Sequence, residues 1–285
     1  MFTALCAVCA CSLAALAAPV LATRSAPERL PAPDGPVTSL HYAPNANFGR
    51  GRKADVYLPG ADGFNLADVS TPAQLNTLPA GVHGLVYLGM CGGVQSSFTG
   101  AVQPFIGNTR LFGFYLMDEP DPTGKYKEKC LAGNLKQESE WIHANVPGAR
   151  TFIVLMNLGT PTAPDYTDTY NSANSGVELF GLDPYPCMKE LHGCDLAVIG
   201  GAVSAAEASG VTAEQIIPVY QAFGGGGYRA WTLPKAAQEE EILAAWGALT
   251  PTPVFDFAYS WGKQSSDHAL VNTADLRAVF AAHND

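Results

Sequence analysis

Leu111-Phe112-Gly113-Phe114-Tyr115-Leu116-Met117-Asp118-Glu119-Pro120-Asp121 carries the clearest structural signal in the chain. Seven apolar or small residues run straight into two adjacent carboxylates and a proline. The run is short, aromatic-rich and ends in a breaker, which predicts a buried strand. Pro120 stops the strand and leaves the two acids at its exit. Successive strand residues point to opposite sides. Asp118 and Glu119 therefore share a site only if the strand twists or bulges there. The plainer alternative is that two acids simply open a solvated loop. Against it stands the way several other strands of this chain end.

On either side, apolar runs at 82–89, 151–157, 177–183, 216–221 and 253–259 read as further strands. Helical stripes fall between most of them: Phe98, Val102, Phe105 and Ile106; Leu131, Leu135, Ile142 and Val146; Leu196, Ile199 and Val203 behind a capping Asp195; Ile242, Trp246 and Leu249; and Leu276, Val279 and Phe280. Between 157 and 177 the chain is rich in Pro, Thr, Tyr and Asn, and the helical signal is weak. Upstream, apolar pieces at 37–42, 54–58 and 64–69 compete for two strand positions. Strand–helix alternation of this kind predicts a parallel sheet with helical crossovers. Six clear strands plus two early ones make eight. That predicts an α/β chain with one (β/α)8 TIM-type barrel over residues 37–285, irregular at its first strands. An open doubly wound sheet is the second choice.

The chain has 285 residues, 47% apolar and 15% charged, which supports a large core and excludes a disordered class. A net charge of −10 without a basic cluster argues against nucleic acid and anionic membrane surfaces as partners. No G-x-G-x-x-G follows a strand, and the tract Gly224 to Gly227 lacks a P-loop Lys-Ser/Thr. No cofactor is expected, and the tract reads as a mobile loop of the active site.

Residues 1–22 carry no charge and end Val20-Leu21-Ala22, small-residue spacing suited to signal-peptidase cleavage before Thr23. No basic n-region precedes the run, so the expected start lies upstream. The rival reading is an uncleaved anchor, because the run is near spanning length, roughly 20 residues. Residues 23–36 are proline-rich and read as a linker. The expected location is secreted or periplasmic, with no membrane association after cleavage. Cys6, Cys9 and Cys11 fall in the leader, leaving Cys91, Cys130, Cys187 and Cys194. An even count in an exported chain points to two disulfides. Cys187–Cys194 closes a short loop, and Cys91–Cys130 joins loops after neighbouring strands on one barrel face. The spacings are not those of zinc ligands, and no metal is expected.

In a barrel, functional groups gather at the C-terminal strand ends. Here those ends offer Asp118 and Glu119; Asn157; Asp183 and Tyr185; Tyr220 and Gln221; and Asp256, Tyr259 and Trp261. Aromatic faces pack on a pyranose while Asp, Asn and Gln bind its hydroxyls, so the expected partner is an oligo- or polysaccharide. Each residue also has a plainer role. Tyr and Trp serve as core plugs, Asn157 and Gln221 as loop ties, Asp183 as a turn former, and Asp256, between two phenylalanines, as a buried acid.

Strands ending in carboxylates, with Asp-Glu-Pro after an aromatic run, resemble the barrel glycoside hydrolases. Asp118-Glu119 closes the fourth strand, similar to the acid/base glutamate of the large retaining clan. The chain departs from that clan at the end of strand 7, where a nucleophilic Glu is expected and Tyr220-Gln221 stands. The adjacent Asp-Glu is also similar to the β-hexosaminidases that use the substrate's own acetamido group. That resemblance implies Glu119 as acid, Asp118 orienting the acetamido, and Tyr185, Tyr259 and Trp261 around it. The chain as a whole resembles exported bacterial barrel proteins of unassigned activity.

Glycoside hydrolysis usually needs one carboxylic acid to protonate the leaving oxygen and a second group across the sugar ring. Glu119 is the candidate acid, and the neighbouring Asp118 favours its protonated form by like-charge repulsion. The second group is an acetamido held by Asp118, or Asp183, or Asp256. A non-catalytic carbohydrate-binding barrel is the rival, supported by the missing strand-7 Glu. A structural calcium site drawing on Asp118, Asp121 and Asp183 is a third reading. For the leader, N-terminal sequencing of exported material is expected to begin at Thr23; a protein retained only in the membrane would contradict the cleavage site.

Overall fold

The computed structural model describes residues 39–285, apart from 52, 53, 192, 228, 265 and 266. The expected leader (1–22) and linker (23–36) lie outside the described residues. Eight parallel strands close into a barrel: β1 (Leu40–Tyr42), β2 (Leu66–Val69), β3 (His83–Tyr87), β4 (Leu111–Asp118), β5 (Arg150–Val154), β6 (Leu179–Leu182), β7 (Ile216–Gln221) and β8 (Phe255–Tyr259). Each pairs with the next in sequence, and β8 returns to β1. The expected barrel is the observed one. Of the three early pieces, the first and third supply β1 and β2. The second contributes only an isolated bridge from Tyr57 to Phe48.

Helices α1 (Pro72–Thr77), α2 (Ser96–Val102), α3 (Ala132–Asn145), α4 (Ser172–Ser175), α5 (Ala197–Ala208), α6 (Ala236–Leu249) and α7 (Ala274–Asn284) follow the strands from β2 onward. Among the described residues, the link from β1 to β2 holds a short 3-10 turn, Pro59–Asp62, in place of a helix. The weak helical signal after residue 157 becomes the single turn of α4. The stripes are shorter than their periodicity suggests: Ile106, Leu131 and Leu249 are exposed at helix ends or beyond. A helix presents its apolar face only along the turns that touch the sheet, and these three fall past them.

A parallel sheet covered on its outer side buries both strand faces, which explains the near-continuous apolar runs. Inside the barrel, alternate residues interlock: Tyr42, Leu66, Leu85, Tyr115, Phe152, Leu179, Ile217 and Phe255 form one cluster with their neighbours. Phe152 meets Tyr115 at 4.7 Å and Phe255 at 5.0 Å between ring centroids. Such pairs are worth about 0.5–1.5 kcal/mol each beyond burial. The intervening residues, such as Phe114, Leu116 and Phe180, face helix residues such as Ile142, Ile199 and Trp246.

Both expected disulfides are present. Cys91–Cys130 joins the segment after β3 to the segment after β4, with Cα atoms 5.6 Å apart. Cys187–Cys194 joins opposite residues of a small antiparallel hairpin, Cys187–Met188 with Gly193–Cys194.

At Gly113, β4 runs close against the backbone of β5. A Cβ there would lie 2.2 Å from the Arg150 carbonyl oxygen, so even alanine forces the strands apart. Gly113→Ala is expected to destabilise the fold by about 1–3 kcal/mol, the usual cost of overpacking. An unchanged urea midpoint would contradict this.

Candidate functional site

The strand that opened the sequence reading builds one wall of a cleft at the C-terminal mouth of the barrel. Register with β5 shifts between Tyr115 and Met117, so β4 bulges where the conditional expectation required it. Glu119 then adopts a left-handed backbone, φ +43°, held by its N–H donating to the Val154 carbonyl at 3.1 Å. A non-glycine residue in this region costs about 1–3 kcal/mol. Bulge and left-handed turn together bring both adjacent acids to one side.

The cleft, about 300 Å³, is lined by Asp118, Glu119, Asn157, Asp183, Tyr185 and Tyr259 among others. Asp118 is exposed and its Oδ1 accepts the Tyr115 hydroxyl at 2.6 Å. Glu119 Oε2 lies 3.2 Å from Lys127 Nζ, which also donates to the Glu119 carbonyl at 3.4 Å. Asp183, half-buried just past β6, is pushed well above the usual carboxylate range by burial, then by the charges of Glu119 and Asp118. Three carboxyl groups therefore share the floor, and Asp183 is the one driven to keep its proton. Asn157 Oδ1 accepts N–H groups of Gly159 and Asp165, both at 2.9 Å, so its side chain braces a loop while facing the cleft.

The opposite wall is aromatic. Tyr185 packs edge-on to Phe223 at 4.8 Å and stacks with Tyr259 at 6.1 Å, and Trp231 lies 5.8 Å from Phe223. The peptide between Tyr259 and Ser260 is cis.

Phe223, Trp231, Met188 and Lys127 were not singled out from the sequence. Phe223 immediately precedes the glycine tract, the one signal that pointed towards it. Gly224 is required there by contact rather than by freedom: a Cβ would lie 2.3 Å from the Leu233 nitrogen. Its N–H and carbonyl exchange hydrogen bonds with His268, at 3.2 and 3.0 Å.

Four other predicted site residues sit away from the cleft lining. Gln221 is a buried clamp. Its Oε1 accepts the Cys187 N–H at 2.8 Å, and its Nε2 donates to the carbonyls of Cys187 and Thr232 at 3.1 and 3.0 Å. This ties the disulfide hairpin to the segment carrying Trp231. Tyr220 points out of the barrel, against Phe280 and His283 of α7. Trp261 is buried against Phe64, with Arg277 over its ring. Asp256 also faces outward, because Phe255 and Phe257 on either side take the interior. It lies between His41 and His283. Of the acids considered as oxygen ligands, Asp121 spends both carboxylate oxygens on five donors from residues 123 to 127, so it has little left for a cation.

No protein-family model matches this sequence, and no curated relative matches it. Among solved structures, a fungal endo-β-N-acetylglucosaminidase of glycosyl hydrolase family 18 superposes with a TM-score of 0.53 at 10% identity, over 87% of this chain and 98% of that one. A family 18 chitinase from Flavobacterium johnsoniae gives 0.51 at 8% identity, over 78% and 87%. A family 18 chitinase from Cycas revoluta, in complex with (GlcNAc)3, gives 0.51 at 10% identity, over 80% and 94%. The likeness is one of fold: the chain has the eight-stranded parallel barrel of these glycoside hydrolases.

Proposed function

We propose that this protein is an exported glycosidase that cleaves an oligo- or polysaccharide by carboxylate acid/base chemistry. The observation that carries the reading is the meeting of Asp118, Glu119 and Asp183 opposite the rings of Tyr185, Phe223, Trp231 and Tyr259. A sugar lying in this cleft has an apolar face against the rings and its hydroxyls towards the carboxyls. Export is supported by the uncharged leader and by two disulfides. Among the described residues, no helix is long and apolar enough to cross a membrane.

Glu119 is the general acid. Its strained backbone is the kind of feature that persists where function requires it. To act, Glu119 must release Lys127. That contact is exposed and worth roughly 0–1 kcal/mol, so substrate displaces it readily. Asp183, whose protonated form is favoured by burial and by the charges of Glu119 and Asp118, donates a hydrogen bond to the substrate, while Asp118, fixed by Tyr115, accepts one. This division suits a substrate-assisted mechanism, in which Asp118 orients an acetamido group that attacks the anomeric carbon. Gln221 stands where a strand-7 nucleophile would be and is fully engaged with backbone, so a protein nucleophile at that position has no support. The neighbours named above make glycans containing N-acetylglucosamine the first substrates to try.

The same Gln221 favours the second reading, a non-catalytic carbohydrate-binding barrel. The two part on one experiment. Glu119→Gln is expected to slow cleavage of an unactivated glycan about 10²–10⁴-fold, the usual worth of a positioned acid. Dinitrophenyl glycosides, which need little protonation, should lose much less. Full activity in the variant, or several glycans bound and none cleaved by the wild type, would replace the enzyme with the binding module.

Asp183 gives a pH test with a defined sign. Its unfolded carboxyl titrates near about 3.9 and its folded one well higher. Between the two values the folded state holds a proton that the unfolded state has lost, so stability falls as pH rises through that window. Asp183→Asn removes this loss. Urea melts from pH 4 upward should show the wild type losing stability relative to the variant. Parallel curves would mean that Asp183 is not the proton holder.

A further inference from the structure

On the outer face of the barrel, where β8 closes onto β1, three side chains converge. His41 and Asp256 are register partners across the seam, and His283 reaches them from the last turn of α7. His41 Nδ1 lies 2.9 Å from each Asp256 oxygen, and His283 Nε2 lies 2.9 Å from Oδ2. One ligand atom from each residue lies within 4.8 Å of the other two. We propose that His41, Asp256 and His283 bind a divalent transition-metal ion of the zinc class, at a site separate from the glycan cleft.

The donor set selects the ion. Two imidazoles and one carboxylate suit zinc and its neighbours, whereas magnesium and calcium take oxygen ligands. With metal–ligand distances of about 2.0–2.2 Å, tetrahedral or octahedral angles hold neighbouring ligand atoms about 3–3.5 Å apart. The two N···O spacings of 2.9 Å need a small opening to admit an ion, and the two histidine nitrogens, within 4.8 Å of each other, would draw together around it.

The local charge also asks for a cation. Asp256 is buried, and among the described residues no lysine or arginine pairs with it. Glu239 of α6 is buried too, and neither of its oxygens has a hydrogen-bond partner. Tyr220 packs edge-on against His283 on the same flank, 5.7 Å between ring centroids. The two imidazole N–H groups can satisfy Asp256 without a metal, and burial pushes the Glu239 carboxyl well above the usual carboxylate range, towards its neutral form. A divalent ion held by the set would put positive charge directly on the buried Asp256 carboxylate.

An entry path exists. The His283 side chain is 29% exposed and lines a groove between α6 and α7 that also carries Glu240 and Asp275. Three protein ligands leave a further position for water. The bound ion would pin α7 to a seam joined by only three register pairs.

The full chain, purified without chelator, should be titrated with Zn²⁺ and Co²⁺. The expected result is one ion per chain, visible d–d absorption from Co²⁺, and a Tm raised by Zn²⁺ but not by Mg²⁺, all reversed by EDTA. His283→Ala should weaken binding by more than about tenfold, since even an outer partner of a metal ligand is worth about 10–100-fold. His143→Ala, at an exposed histidine elsewhere, should leave it unchanged. Absence of saturable Zn²⁺ binding by the wild type overturns the proposal whether or not the variants fold. So does binding that survives His283→Ala and Asp256→Asn undiminished.

Discussion

The rim of the cleft depends on one carboxylate. Asp121 Oδ1 accepts the N–H groups of Thr123 and Gly124 and the Thr123 hydroxyl, and Oδ2 accepts the N–H groups of Tyr126 and Lys127. Burial works against its ionisation. The Thr123 hydroxyl and the backbone donors outweigh that and hold its carboxyl well below the usual range. Because the bonds close within seven residues, the segment after β4 folds around a fixed anion rather than around packed side chains. Glu119 lies just before this loop and Lys127 at its far end, so the loop that ends the strand also delivers the ammonium that meets the candidate acid. A polar group consumed internally in this way costs the site a ligand and gives it geometry.

The same trade recurs at β7 and at the disulfide hairpin. Gln221 presents the amide of a sugar-binding residue, yet its buried position surrounds it with backbone groups of Cys187 and Thr232 that it bonds. An unpaired buried amide or carbonyl costs about 1–3 kcal/mol, so satisfying the backbone takes precedence over leaving the side chain free. The result still serves the cleft. Cys187, Thr232 and their neighbours are locked together, the hairpin bridges to Trp231, and the ring wall is completed. The wall is therefore rigid because a predicted ligand-binding residue is spent as a brace.

Strand parity separates the two polar regions of the barrel. Phe255 and Phe257 fill the interior, which leaves Asp256 no choice but the helix side. There it meets His41, displaced in the same sense on the neighbouring strand, and a histidine from the final helix. Two polar centres result, one at the mouth and one on the flank. They share no lining residue among those described.

The barrel, the place of Asp118-Glu119 at its fourth strand and the pairing of the cysteines are legible in the chain. Those follow from apolar period, breakers and short-range spacing, all of which are local in the chain. It also carried the choice of Asn157, Asp183, Tyr185 and Tyr259, since a strand's end is visible where its apolar run stops. Which face each side chain takes is settled only when the strands pair. Nothing local distinguishes Tyr220 and Asp256, turned out to the helices, from Tyr259, turned to the cleft. Trp231 reaches the site from ten positions beyond Gln221 in the chain, and His41 meets Asp256 across 215 positions. Side-chain direction in a closed sheet is fixed by register and by which neighbours claim the interior, and register is a property of pairs of strands that no single stretch contains.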